Sequence, residues 1–182
     1  VGTYGPKPRL GDPSECRACD PGYWCSGGVR YACAHGTYNP LPEVSSVLQC
    51  RACPPNSNTT DSAAVTREAC ACDRNFYDRR WAVNDTSDDA YCRRCVTGTA
   101  CGYAGITLRT LPLRRGYYRL TTRSTDVRRC PDAAANCSSE IGNCTTSSSG
   151  CLGGADLARQ CADGLGGVFC SLCMPNETGR FH

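Results

Sequence analysis

The chain has 182 residues and a net charge of +3, and only 25 of its residues are Leu, Ile, Val or Phe. That aliphatic share is too small for a conventional apolar core, and the low net charge argues against a disordered polyelectrolyte. Eighteen cysteines place it instead among disulfide scaffolds, which hold their shape in an oxidising compartment, and the slight basic excess excludes general nucleic-acid binding.

In chain order, residues 2–19 read GTYGPKPRLGDPSECRAC and residues 36–53 read GTYNPLPEVSSVLQCRAC. Gly-Thr-Tyr, both prolines and Cys-Arg-Ala-Cys recur without a gap at an offset of 34 residues, which predicts an array of modules. Cys33 stands three residues before Gly36, so the register predicts a cysteine just upstream of Val1 and hence a longer parent protein. The boundaries that follow are 1–32 for the end of one module and a link, 33–101 for a cysteine-rich module or modules, 102–129 for a cysteine-free segment, and 130–182 for a last small unit. The fold class expected is small and disulfide-rich: tandem elongated cysteine-rich modules with short β-hairpins and little helix.

The link Cys19-Asp-Pro-Gly-Tyr-Trp-Cys25-Ser-Gly-Gly carries two turn dipeptides, and its five-residue loop returns at Cys95-Val-Thr-Gly-Thr-Ala-Cys101. Tyr4 and Tyr38 follow a glycine and begin runs containing two prolines, which excludes helix and predicts short edge strands. The tyrosines and Trp24 are then expected to cover disulfides. Cys70 and Cys72, separated by one residue on an extended strand, are expected to join different bonds. The polar loop from Asn84 to Asp89 lacks the glycine and terminal glutamate of an EF-hand, so a solvated loop is expected rather than a calcium site.

From Gly102 to Arg129 there is no cysteine. Ile106-Thr-Leu-Arg-Thr-Leu111 and Tyr117-Tyr-Arg-Leu-Thr-Thr122 flank a Pro-Leu-Arg-Arg-Gly turn, which reads as a hairpin. Arg109, Arg114, Arg115, Arg119 and Arg123, with Arg128 and Arg129 beyond them, offer a basic face for an anionic glycan or an acidic protein. The plainer alternative is a solvated strand face whose arginines pair with nearby acids. After Cys130 come short loops rich in Ser, Thr, Gly and Asn, one helical turn at residues 155–159, and a glycine-punctuated end like that of an epidermal-growth-factor-type module.

Five of the eight asparagines lie in Asn-x-Ser/Thr: Asn58, Asn84, Asn136, Asn143 and Asn176. This predicts N-linked glycans and passage through a glycosylating secretory pathway to the cell surface or beyond. Cysteine occupies the middle position at Asn136 and Asn143, so glycans are expected first at Asn58, Asn84 and Asn176. No run approaches a membrane span and no signal peptide is present, so any anchor is expected outside this segment.

Bonds are expected mostly between neighbours in sequence, because short loops close with little entropic penalty. The pairs are Cys19 with Cys25, Cys33 with Cys50, Cys53 with Cys70, Cys72 with Cys92, Cys95 with Cys101, Cys130 with Cys151, Cys137 with Cys144 and Cys161 with Cys170. Cys16 and Cys173 are left over, and by the register each should find its partner outside the chain.

A zinc site from Cys50, Cys53, Cys92 and Cys95 is weighed against by the sequons and the repeated structural spacing. Redox chemistry would need a Cys-x-x-Cys opening a helix, and hydrolysis would have only His35 and His182 to draw on. Asp88 and Asp89 sit in a polar loop with nothing apolar to raise a pKa. No cofactor, metal or catalytic residue is therefore expected.

The string Cys33-x-x-Gly-Thr-Tyr, Cys50-x-x-Cys53-Pro-Pro-Asn-Ser and Cys70-x-Cys72-x-x-x-Phe-Tyr resembles the ephrin-receptor-like, or growth-factor-receptor-like, cysteine-rich module, akin to tumour-necrosis-factor-receptor repeats, over about residues 1–95. The remainder is similar to glycosylated extensions that follow such modules in large surface and mastigoneme-type proteins of algae and protists. The resemblance implies a rod-like, non-catalytic scaffold or adhesion surface whose partners are other extracellular proteins or copies of itself. A ligand-binding receptor ectodomain is the alternative.

Overall fold

A computed structural model describes residues 2–7, 11–80, 91–133 and 149–175. Packing divides the chain into two units, Val1–Asp73 and Arg74–His182. Each is a small disulfide-rich fold of tandem two-stranded antiparallel hairpins, and the only helical elements among the described residues are three-residue 3-10 turns.

One local device opens hairpin after hairpin. Cys19, Cys33, Cys53, Cys95 and Cys161 are each followed by a four-residue turn whose fourth N–H donates to the first carbonyl at 2.9 to 3.2 Å. The third residue of each turn has a positive φ: Gly22 (83°), Gly36 (77°), Asn56 (61°), Gly98 (89°) and Gly164 (77°). That is the type II arrangement, which demands glycine or asparagine at this place. The same third residue then closes the hairpin it started. In the first unit the carbonyls of Gly2, Gly22, Gly36 and Asn56 accept from the N–H groups of Cys19, Cys33, Cys53 and Asp73 at 2.8 to 2.9 Å. In the second, those of Asn75, Gly98, Gly116 and Gly164 accept from Cys95, Arg114, Cys130 and Met174 in the same way. The end of one hairpin therefore leads directly into the turn that begins the next.

In the first unit β1 (Thr3–Tyr4) pairs with β2 (Arg17–Ala18), and β3 (Tyr23–Ser26) with β4 (Val29–Ala32). Then β5 (Thr37–Tyr38) pairs with β6 (Arg51–Ala52), and β7 (Ser57–Thr59) with β8 (Cys70–Cys72). The 34-residue repeat is a repeat of register, since Thr3 faces Ala18 as Thr37 faces Ala52, and Tyr4 faces Arg17 as Tyr38 faces Arg51. A further copy hides at an offset of 20. Cys33–Cys50 and Cys53–Cys70 both span 17 residues, and Val47–Gln49 and Arg67–Ala69 form the same 3-10 turn before the second cysteine. In the later copy Asn56 stands for Gly36 and Asn58 for Tyr38.

Neighbouring hairpins are tied by backbone. The Glu43 N–H donates to the Cys19 carbonyl at 2.8 Å and the Ala63 N–H to that of Cys33 at 2.9 Å. A Cβ on Gly22 would lie 2.3 Å from the Ala63 carbonyl oxygen, so this contact needs glycine as well as the turn. Asn39, 1 % exposed, is the polar hub. Its Nδ2 donates to the carbonyls of Tyr23 (2.9 Å) and Leu41 (2.8 Å), and its Oδ1 accepts from the Leu41 N–H (3.0 Å). Apart from cysteines, Val44 is the only hydrophobic residue buried among the described residues of this unit.

The second unit is built on side-chain packing. Here β9 (Phe76–Asp78) pairs with β10 (Cys92–Arg94), β11 (Tyr117–Tyr118) with β12 (Arg128–Arg129), and β13 (Leu165–Gly166) with β14 (Leu172–Cys173). One core gathers Tyr77, Cys101, Ile106, Leu108 and Leu111. Another gathers Tyr118, Cys130, Ala133, Cys151 and Cys170, with Leu165 and Phe169 against it.

The hairpin expected between residues 106–111 and 117–122 does not form. Tyr117–Tyr118 pairs with Arg128–Arg129 instead, Thr107 bridges to Asp78, and Leu113 bridges to Thr99 and Gly154. The physical cause lies in the threonines, because the Thr107 N–H donates to Thr110 Oγ1 and the Thr110 N–H to the Thr107 carbonyl, folding a run that alternates like a strand. The fold then buries Ile106, Leu108 and Leu111 together, all at 1 % exposure or less, which a two-residue-period strand would not do.

Cys19–Cys25, Cys33–Cys50 and Cys53–Cys70 staple the first unit, and Cys95–Cys101, Cys130–Cys151 and Cys161–Cys170 the second. Cys72 and Cys92 are also disulfide-bonded. Cys137 and Cys144 lie outside the described residues. No helix of the described residues is long and apolar enough to cross a membrane.

Candidate functional site

The arginines read as one basic face are dispersed. Arg109 and Arg123 are exposed, Arg114 and Arg115 half-buried, and Arg119 is 0 % exposed. Arg119 is therefore a correction to the expected face. Its Nη1 donates to the Leu108 carbonyl at 2.6 Å and its backbone N–H to Gln160 Oε1 at 3.4 Å, while Nε and Nη2 have no hydrogen-bond partner among the described residues. Burial pushes this guanidinium below its ordinary range, against the opposing influence of Tyr77. Its chemistry here is to hold the 106–111 turn rather than to meet a ligand.

What the structure assembles instead is the loop closed by Cys95–Cys101. Arg94 ends β10 immediately before it, and Arg114 reaches it from the next hairpin, where its Nε donates to the Thr99 carbonyl at 2.9 Å. Thr99 Oγ1 donates to the Val96 carbonyl at 2.7 Å, and the Arg114 N–H to that of Gly98 at 2.8 Å. Gly98 leaves room for the Tyr117 ring, which a Cβ there would meet at 2.2 Å. These contacts frame an open cavity of about 630 Å³, lined by Asn75, Arg94, Thr97, Gly98 and Arg114 among others, with no acidic residue in its lining. The Arg94 guanidinium makes no hydrogen bond or ion pair with the described residues, and the two terminal nitrogens of Arg114 likewise have none. Sequence reasoning passed over Arg94 because it belongs to a Cys-Arg-Arg-Cys string that reads as a structural repeat.

Two other arginines are held in ion pairs that also cover aromatic rings. Arg30 pairs with Asp20 at 2.6 Å and lies over the rings of Tyr23 (4.4 Å) and Tyr4 (5.0 Å). Trp24 stacks on Tyr31 with centroids 4.5 Å apart. Asp78, 6 % exposed, is held by Arg80, whose Nη2 is 2.6 Å from Oδ2 and whose guanidinium covers the Tyr91 ring at 4.1 Å.

Cys50, Cys53 and Cys95 are paired with Cys33, Cys70 and Cys101, and Cys92 is disulfide-bonded too, so the thiolates of a zinc site are consumed. Cys130, Asp132 and Cys151 come close together, but the two sulfurs form one disulfide. The Asp132 carboxylate accepts from the Gly150 N–H (2.8 Å) and Ser149 Oγ (2.9 Å), and these donors hold it below the usual carboxylate range. His35 is exposed on a hairpin turn, whereas His182, Asp88 and Asp89 lie outside the described residues.

Asn58 is exposed on β7. Asn84, Asn136, Asn143 and Asn176 lie outside the described residues. Cys16 and Cys173 carry exposed free thiols. Cys16 occupies the cap after its 3-10 turn (Pro13–Glu15) that Cys50 and Cys70 occupy after theirs, with its N–H bonded to the Pro13 carbonyl at 3.1 Å as theirs are to Val47 and Arg67.

The chain matches no protein-family model, no curated protein and no solved structure.

Proposed function

We propose that this chain is a non-catalytic extracellular glycoprotein scaffold whose tandem hairpins mediate structural assembly or adhesion of a surface filament, coat or large surface protein. The observation that carries the reading is the serial hairpin device: each cysteine, turn, strand and closing bond hands on to the next, which suits a protein made to extend and present surface rather than to enclose a reaction. The resemblance to ephrin-receptor-like modules supports the same role, with other extracellular proteins or further copies as partners. The exposed thiols of Cys16 and Cys173 fit covalent continuation of the array, and the exposed Asn58 fits a glycan on its flank.

Expression through a glycosylating secretory pathway tests the proposal. Intact mass should fall after glycosidase treatment with Asn58 among the released sites, and native sizing should give multimers. An unmodified Asn58 would reject the glycan, and a monomer at every concentration would reject assembly. The second reading, a ligand-binding ectodomain, is favoured by one observation, the arginine-flanked cavity beside Cys95–Cys101.

A further inference from the structure

We infer that the cavity framed by the Cys95–Cys101 loop is a binding site for an acidic saccharide, whose sulfate or carboxylate is held between Arg94 and Arg114. This goes beyond the scaffold reading and stands or falls separately from it. Three features carry it. First, Arg94 and the terminal nitrogens of Arg114 are donors without partners among the described residues, in a lining that holds no carboxylate to neutralise them. A planar guanidinium with free N–H groups is suited to bidentate contact with an oxyanion, and such charge-assisted bonds are about twice as strong as neutral ones.

Second, the walls are set before any ligand arrives. The disulfide, the Thr99 hydroxyl bond, the Arg114 bonds to the Thr99 and Gly98 carbonyls, and the Ala100 N–H bond to the Pro112 carbonyl (2.9 Å) all fix the loop. A preorganised site loses less affinity to ordering on binding. Third, the cavity's 630 Å³ lies within the range of small-ligand sites, roughly 300–1,000 Å³, yet its side chains are mainly threonine, asparagine and arginine with no aromatic residue. Hydroxyl and amide walls match a hydroxylated sugar ring better than the apolar side chains of a peptide.

Titration calorimetry of the whole chain with sucrose octasulfate, at about 0.15 M salt to suppress loose surface binding, provides the test. The expected result is saturable binding of one probe per chain, weakened about tenfold or more by Arg94→Gln. The Arg94 side chain has no partner to lose among the described residues, so this variant should fold as the parent does; circular dichroism checks it. A companion variant, Arg109→Gln with Arg123→Gln, removes two exposed arginines from other surfaces and should bind like the parent. Absence of binding, an equal loss in both variants, or equally tight binding of hexaglutamate would each overturn the assignment.

Discussion

The two units reach stability by opposite routes. In Val1–Asp73 the interior is sulfur and backbone: the disulfides Cys19–Cys25, Cys33–Cys50 and Cys53–Cys70, carbonyl bonds from hairpin to hairpin, and Asn39 bonding at the centre, with Val44 the one buried aliphatic side chain among the described residues. In Arg74–His182 disulfides share the work with two apolar cores containing leucines, isoleucine and tyrosines. The difference teaches that the same hairpin device can be stapled from within or packed from the side. Staples and backbone bonds tie each hairpin to its neighbour, whereas packing joins hairpins distant in sequence, as Leu108 and Tyr77 do.

The largest effect should come from the packed unit. Leu108→Ala removes a side chain at 0 % exposure and should destabilise the second unit by about 3–4 kcal/mol. Hydrogen exchange should quicken across residues 91–130 while protection at residues 19–72 is kept, and equal loss in both would break the comparison.

Nearly as large, and confined to the first unit, should be Cys33→Ala combined with Cys50→Ala. Opening a 17-residue separation costs about 3 kcal/mol in the chain-entropy model. Proteolysis should cut between residues 33 and 53 and leave the second unit intact; a cut chain whose second unit also unfolds would show that the staples are not local.

Asn39→Ala sharpens the role of polar bonding. It leaves the carbonyls of Tyr23 and Leu41 without their side-chain donor and should cost about 2 kcal/mol, measured as a shift in the urea midpoint. Asn39→Asp should not restore it, because a carboxylate cannot donate to either carbonyl.

The smallest effect belongs to Asp132. Its carboxyl is held below the unfolded value of about 3.9, so its contribution is fully present above that pH and is lost as pH falls through the lower folded value. Asp132→Ala should cost about 1 kcal/mol at neutral pH, discounted for an exposed group, and the variant and parent should draw together in thermal stability as pH falls from about 3.9 through the lower folded value. A constant difference down to strongly acidic pH would assign the effect to packing instead.

The first unit was the more legible from sequence because its ties are covalent or forced by backbone. The copied Cys-Arg-Ala-Cys gave the register, and positive φ restricted the turn residues to Gly or Asn at positions 22, 36 and 56. The 20-residue copy escaped because Asn56 and Asn58 replace Gly36 and Tyr38 in letter while keeping their backbone geometry. In the second unit, Ile106-Thr-Leu-Arg-Thr-Leu111 alternates like a strand, and nothing in the letters says that Thr107 and Thr110 will bond each other's backbone and fold it. Arg119 was read as surface because arginine is almost never fully buried unless paired. The basic face consequently dissolved, and the arginines that frame the cavity are drawn from two hairpins, Arg94 from β10 and Arg114 from the turn preceding β11, a juxtaposition that only the fold creates.

The disulfides that close these hairpins join cysteines 6, 17, 17, 6, 21 and 9 residues apart, and the six stretches they span never interleave. A chain entering an oxidising compartment from its N-terminus thus presents both partners of each of these bonds before the first partner of the next. Eight cysteines released together could pair in on the order of a hundred ways, but serial delivery narrows each of these choices to the few thiols at hand, with Cys16 still free as Cys19 and Cys25 arrive and Cys137 and Cys144 passing between Cys130 and Cys151. The order of synthesis can therefore guide oxidation, since correcting an error at one of these steps does not require the earlier loops to open.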